Sequence, residues 1–142
     1  MNKATNIIGL VILLALIALG AACSGAATES GMKVFATKKV SDNLTITLSG
    51  EDGKLKNGQQ EIMLSFTDGS GKPVEIKAAT LNFNMPAMGS MAEMNNAAEL
   101  TTTGTPGQFK GNLNIEMKGD WIAQVSYEGA ESGKTTISTK AQ

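Results

Sequence analysis

Apolar and polar residues alternate in short runs along most of the chain from residue 33 onward. Leu44, Ile46 and Leu48 alternate with Thr45 and Thr47, which is the two-residue period of a strand with one buried face. No stretch in this part of the chain keeps the 3.6-residue period of an amphipathic helix. The pattern predicts strands at residues 34–40, 44–48, 62–66, 74–85, 98–102, 109–117, 121–127 and around Ile137.

Clusters of Gly, Asp, Ser and Pro separate these runs, most clearly at residues 68–73, 103–107 and 118–120. Such residues favour tight turns between antiparallel strands. The predicted fold class is therefore all-β, an immunoglobulin-like β-sandwich of about seven antiparallel strands. The Cys…Trp…Cys pattern of antibody domains does not occur, so this is a prediction of architecture and not of ancestry. A single domain is expected over residues 33–142.

One of the predicted strands changes its buried face along its length. Ile76 and Ala78 have one parity, whereas Leu81 and Phe83 have the other. Because side chains alternate between the faces of a sheet, this change predicts a β-bulge near Ala78 and Ala79.

The first 22 residues have the pattern of a secretory signal peptide. Residues 6–22 form an almost unbroken apolar run after Lys3, too short and wrongly flanked for a stable membrane span. Residues 23–32 come next, beginning with a Cys that is predicted to be lipidated. The residues after it are small and polar, which predicts a flexible tether before the domain.

The chain's single cysteine, Cys23, follows Leu19-Gly20-Ala21-Ala22. This arrangement resembles the lipobox of bacterial lipoproteins, in which the thiol is lipidated and becomes the mature N-terminus. The resemblance implies a membrane-anchored protein of the cell envelope on the extracytoplasmic side. The alternative is an ordinary cleaved signal that leaves a free secreted thiol.

The composition excludes several classes of function. The chain has no His, a formal net charge of −1, and 12 basic residues that are all Lys. Without His, Ser-His-Asp and Cys-His catalysis, His-bound zinc and imidazole copper(II) sites are excluded. Without Arg or a basic cluster, nucleic acid is not an expected partner. We expect a protein that is not an enzyme and has no catalytic residues.

Half of the eight methionines lie in one segment at intervals of three residues, namely Met85, Met88, Met91 and Met94. Thioether sulfur is soft and neutral, so such a cluster favours Cu(I) or Ag(I) over harder ions. A helix would spread the sulfurs around its axis, and a regular strand would alternate them between two faces. An irregular loop or short 3₁₀ turn around Pro86 and Gly89 is therefore the conformation expected to bring them together.

Strand direction adds two further residues to this candidate metal site. If consecutive strands are antiparallel, the strands that end at Met85 and Met117 point the same way, and the Trp121 strand starts at the same end. Met85, Met88, Met91, Met94, Met117 and Trp121 are then expected at one pole of the sandwich. A nearby Trp face would shield a bound cation through a cation–π contact.

Two interpretations of the methionines remain open at this point. Met85, Met117 and Trp121 share the parity of neighbouring core residues, and Met is a common filler of irregular apolar gaps. Met88, Met91 and Met94 form either a soft-metal site or, in the other interpretation, a structural cap or an adaptable surface for a protein partner.

Four sequence segments together resemble those of a known family. They are the turn Asp68…Gly71-Lys72-Pro73-Val74, then Met85-Pro86-Ala87-Met88, Pro106-Gly107-Gln108-Phe109 and Met117-Lys118-Gly119-Asp120-Trp121. In this order, over about residues 40–128, they resemble YtkA-like domains and the related FixH-like proteins. The resemblance implies a small extracytoplasmic β-sandwich. FixH-like proteins are linked to copper supply for terminal oxidases, and similar domains accompany heavy-metal efflux adaptors, so the resemblance also favours copper as the ligand.

The leading hypothesis is a lipid-anchored YtkA-like domain protein that binds or delivers Cu(I) through its Met-rich segment. Its partners would be the membrane, through the anchor, and a membrane protein such as an oxidase assembly or metal efflux component. The alternative is a non-catalytic interaction module whose Met-rich pole docks on a membrane partner.

Overall fold

The computed structural model describes residues 31–142 and consists of antiparallel strands. The predicted signal peptide, Cys23 and most of the predicted tether lie outside the described residues. Within residues 31–142, no helix has the length and apolar character needed to cross a membrane. The strands are β1 (Lys33–Ser41), β2 (Leu44–Gly50), β3 (Gly58–Thr67), β4 (Ile76–Met85), β5 (Met94–Thr102), β6 (Gln108–Ile115), β7 (Gly119–Gly129) and β8 (Gly133–Ala141). The predicted all-β antiparallel fold is confirmed, with eight strands.

The strands form one sheet in the order β1-β2-β3-β6-β5-β4-β7-β8, which folds into two facing halves. β5 joins the halves, because its residues 94–98 pair with β4 and its residues 99–102 pair with β6. The return of β7 beside β4 makes strands β4 to β7 a Greek key. The sheet is nearly closed, and the Lys38 Nζ on β1 donates to the Thr136 carbonyl oxygen on β8 at 2.7 Å.

A single apolar core lies between the two halves and is built from the inward residues of every strand from β2 to β8 except β5. Phe66 is at its centre, with its ring centroid 6.1 Å from Phe109 in an edge-to-face arrangement and 5.3 Å from Tyr127. β5 contributes partly buried residues that pack against this core. Burial of these apolar side chains is the main force that holds the halves together.

The change of face in the fourth strand is a β-bulge, as predicted. The register of β4 against β7 shifts between Ile76 and Ala78, slightly earlier than expected from the sequence. Ile76 and Leu81 are consequently both buried although their numbers differ in parity. The shift directs the even-numbered residues after the bulge to the outer face of the sheet.

The turn after β3 is held by one carboxylate. Asp68 accepts hydrogen bonds from the Ser70 hydroxyl at 2.7 Å, the Ser70 N–H at 2.8 Å and the Lys72 N–H at 3.0 Å. These donors stabilise the ionised carboxylate and lower the pKa of Asp68 below its ordinary value.

This turn packs against the one before β6. The Phe66 N–H donates to the Gly107 carbonyl oxygen at 2.8 Å, and the Val74 N–H donates to the Phe66 carbonyl oxygen at 3.0 Å. A Cβ on Gly107 would lie 2.0 Å from the Val74 carbonyl oxygen, so only glycine fits there. Two of the segments that carry the family resemblance are thus in direct contact.

Candidate functional site

The four closely spaced methionines lie on one β-hairpin, formed by β4, β5 and the connection between them. Met85 pairs with Met94 as the last pair of the β4–β5 ladder, and Met88 pairs with Met91 in an isolated bridge. Both pairs belong to one register, since Met88 is three residues after Met85 and Met91 is three residues before Met94. The three-residue spacing therefore produces two cross-strand pairs, which we call the inner pair (Met85 and Met94) and the tip pair (Met88 and Met91).

The tip pair closes a two-residue turn. The Met91 N–H donates to the Met88 carbonyl oxygen at 2.9 Å, and the Met88 N–H donates to the Met91 carbonyl oxygen at 3.2 Å. Gly89, the first central residue of the turn, has a φ of 56°, which both of the common two-residue hairpin turns require at this position. The irregular loop or 3₁₀ turn expected from the sequence is instead this hairpin turn, because Gly89 supplies the left-handed conformation that a tight hairpin needs.

The two pairs differ strongly in exposure. Met85 is 3% exposed, and Met94 is half-buried against the core. Met88 is 59% exposed and Met91 is 37% exposed. Residues directly opposite each other in an antiparallel pair project to the same face of the ribbon, so the thioethers of the tip pair are neighbours on the solvent side. The structure thus separates the four methionines into a core pair and an accessible pair.

Side-chain amides form a hydrogen-bonded row on the outer face of the same hairpin. Asn82 Nδ2 donates to Gln124 Oε1 at 3.1 Å and to Asn95 Oδ1 at 3.2 Å. Asn84 Nδ2 donates to Asn95 Oδ1 at 3.0 Å and to Glu93 Oε1 at 2.5 Å. The row crosses β7, β4 and β5 and ends at Glu93, in the segment that leads back from the tip pair.

Met117 and Trp121 lie at the same end of the sandwich as the inner pair. Trp121 is a core residue, 1% exposed, and its Nε1 donates to the Met117 carbonyl oxygen at 3.0 Å. Met117 follows β6 and is partly buried against the core. Gly119, at the start of β7, touches Met85, since a Cβ on it would lie 3.0 Å from the Met85 Cε. The hydrogen bond from Trp121 uses the backbone carbonyl of Met117, so the Met117 sulfur takes no part in it.

A groove of about 640 Å³ runs beside the tip pair. Its lining combines apolar surface with one carboxylate and one ammonium group, which are both exposed. Among the described residues that line it are Pro86 and Met88 from the hairpin and Asp120, Trp121, Ile122, Ser138, Thr139 and Lys140 from β7 and β8. Met88 and Trp121, which the sequence placed at one pole, therefore border the same groove.

The donors present at this end suit a soft cation. Within residues 31–142, no group of three or more His, Cys, Asp or Glu side chains is placed to hold a metal ion. Met88 and Met91 offer two accessible thioethers, and thioethers select Cu(I) or Ag(I). Met85 could become a ligand only if the core opened, because its side chain is buried.

Sequence reasoning did not identify Asn84 and Glu93 as part of this site. An Asn that occupies an outward position in a strand gives no distinctive pattern, and Glu93 is one acidic residue among 13 Asp and Glu. Their relevance follows only from the hairpin register, which places Glu93 next to Asn84.

A model of the YtkA-like family matches residues 38–126. The matched region runs from within β1 to within β7 and includes the complete methionine hairpin and Trp121. No curated protein and no solved structure shows significant similarity to the chain.

Proposed function

The chain belongs to the YtkA-like family, and we propose that it is a lipid-anchored extracytoplasmic protein that binds Cu(I) through Met88 and Met91 and delivers it to a partner. The observation that carries this proposal is the tip pair itself. Met88 and Met91 are directly opposite each other across a two-residue turn, and both side chains are accessible to solvent. An apolar side chain so exposed at a hairpin tip contributes little to folding, which supports a role in binding.

The coordination chemistry supports delivery more than storage. Two neutral sulfur ligands leave the remaining coordination positions of Cu(I) open to a donor from another molecule. The groove beside Met88 gives such a donor access to the tip pair. Trp121 also borders that groove, but its side chain is 1% exposed, so the cation–π contact expected from the sequence would require the core to open at this end.

The test is a Cu(I) competition titration with the chain from residue 24 onward, which retains the complete core and removes the competing thiol of Cys23. The double variant Met88→Leu/Met91→Leu keeps the apolar bulk and removes the two accessible sulfurs. The matched control, Met85→Leu/Met94→Leu, removes two sulfurs from the same hairpin. We expect Cu(I) affinity to fall in the tip variant and to be retained in the control, and equal affinity in the wild type and the tip variant would refute the proposal.

Localisation is proposed from the N-terminal pattern, with Cys23 as the lipidated residue. In the full-length chain, Cys23→Ser should abolish lipid labelling and release the protein from membranes. Persistent labelling of this variant would show that the anchor is not at Cys23.

A second candidate function, a docking module, is favoured by the apolar part of the groove. Pro86, Met88 and the half-buried Ile122 line it together, and Met side chains adapt readily to a partner surface. A membrane protein such as an oxidase assembly or efflux component is the proposed partner. Docking without copper delivery predicts that Met88→Leu/Met91→Leu keeps partner binding unchanged, whereas Met88→Glu/Met91→Glu abolishes it.

A further inference from the structure

Asn84 is a buried polar residue in an unusual position. Its neighbours Phe83 and Met85 are core residues, so the alternation of β4 directs the Asn84 side chain to the outer face of the sheet. Outward residues of a sheet with one solvated face are normally exposed, yet Asn84 is only 7% exposed. Neighbouring outward residues therefore cover it, and Glu93 and Asn95 of the hairpin's returning arm are among them.

The side-chain hydrogen bonds of Asn84 all reach that returning arm. Its Nδ2 lies 2.5 Å from Glu93 Oε1, 3.0 Å from Asn95 Oδ1 and 3.4 Å from the Met94 carbonyl oxygen. Of these acceptors, the Glu93 carboxylate is charged and lies closest to the tip pair in the chain. Hydrogen bonds to charged acceptors are stronger than those between neutral groups.

The backbone ladder of the hairpin is interrupted next to this contact. Between the inner pair and the tip pair, Pro86, Ala87, Ala92 and Glu93 have no strand pairing. Pro86 has no N–H to donate. The tip pair is thus separated from the regular sheet by two unpaired residues in each arm. The side-chain bond from Asn84 reaches Glu93, the first unpaired residue beyond Met94, and so extends the cross-strand contacts one residue into this interruption.

We infer that Asn84 and Glu93 are positioning residues that fix the returning arm and thereby hold Met88 and Met91 in their opposed arrangement for metal binding. The inference rests on the proposed function for its metal-binding consequence. Its structural consequence is that the backbone at Met88 and Met91 is held in one conformation, and this can be measured without any metal.

The experiment uses Glu93 variants of the chain from residue 24 onward, because Glu93 is exposed and its replacement leaves the core intact. Glu93→Ala removes the acceptor, whereas Glu93→Gln keeps an Oε1 that can accept the same hydrogen bond from Asn84. Glu99→Ala is the matched control, since Glu99 is an exposed glutamate on β5, the strand that follows Glu93, and is paired with β6. The two measurements are amide hydrogen exchange at Met88 and Met91 by NMR and Cu(I) affinity by competition.

In Glu93→Ala we expect faster exchange at both amides and about tenfold weaker Cu(I) binding, with both values restored in Glu93→Gln and unchanged in Glu99→Ala. Unchanged exchange in Glu93→Ala would overturn the inference. If Glu93→Gln, which keeps a neutral acceptor, gave no restoration at all, the hydrogen bond would not be what orders the arm and the positioning role would be wrong. A wild-type chain that does not bind Cu(I) would refute the proposed function, while the exchange rates would still decide whether Asn84 and Glu93 order the tip pair.

Discussion

Met85 and Met88 lie three residues apart in one arm of a hairpin, yet Met85 is 3% exposed and Met88 is 59% exposed. Two residues of a strand that are an odd number of positions apart have side chains on opposite faces, so the register that buries Met85 directs Met88 outward. Their partners Met94 and Met91 repeat the difference in the other arm. The hairpin therefore packs the inner pair of methionines against the core and exposes the tip pair to solvent.

Met85 is expected to act through packing. Met85→Ala should lower the free energy of unfolding by about 2–5 kcal/mol, because it leaves a cavity beside the core. Met85→Leu should cost less than about 1.5 kcal/mol, since it nearly conserves the volume. Urea denaturation of both variants measures this difference. A similar loss in Met88→Ala, whose side chain is exposed, would contradict the division of roles.

Gly89 is expected to act through backbone conformation. Gly89→Ala should destabilise the protein by about 1 kcal/mol, because a residue with a Cβ is strained at this positive φ. A Cβ at this position would meet nothing within 4 Å, so a steric clash is not the cause. Gly89→Asn is the control, because Asn adopts a positive φ more readily than Ala and should restore part of the loss. Equal destabilisation by Ala and Asn, measured by urea denaturation, would argue against the conformational explanation.

The sequence predicted the strands well wherever one face is buried, because apolar alternation then has a clear period. Leu44, Ile46 and Leu48 are all fully buried on β2, as their spacing indicates. The bulge in β4 was also predictable, since burial of both Ile76 and Leu81 forces a shift in register. Both features follow from the spacing of apolar residues along the chain, which can be read directly from the sequence.

The start of β5 was not predictable in this way. The sequence indicated a strand from residue 98, whereas β5 starts at Met94 and includes Asn95 and Asn96. Asn is uncommon in strands, and here Asn95 is held by side-chain bonds from Asn82 and Asn84 on the neighbouring strand. The division of the methionines into two pairs depends on this register, so it needed the three-dimensional structure.

The pH dependence of metal binding offers a test of ligand type. Thioethers have no proton to lose, so Cu(I) affinity of the chain from residue 24 onward should change less than about threefold between about pH 7.5 and 5. The measurement is a competition titration corrected for the protonation of the competitor. A steep loss of affinity on acidification would indicate a titrating ligand and exclude the tip pair as the sole donor set.

Exposure also predicts the order in which the methionines oxidise. A peroxide transfers one oxygen atom to a thioether, giving the sulfoxide and water. Met88 and Met91 should react about tenfold faster than the buried Met63 and Met85, because oxidation follows access to the sulfur. Peptide mapping by mass spectrometry after brief peroxide treatment gives the rates, and equal rates at Met85 and Met88 would show that the inner pair is accessible.

The most direct test of the central claim is an NMR titration of the methionine ε-methyl groups with Cu(I) under reducing conditions. We use the chain from residue 24 onward and assign each methyl with single Met→Leu variants. The account predicts that the Met88 and Met91 methyl signals shift together and saturate at one Cu(I) per chain, while those of Met63 and Met85 keep their positions. Unchanged Met88 and Met91 signals at saturating Cu(I), or shifts confined to other methionines, would contradict it.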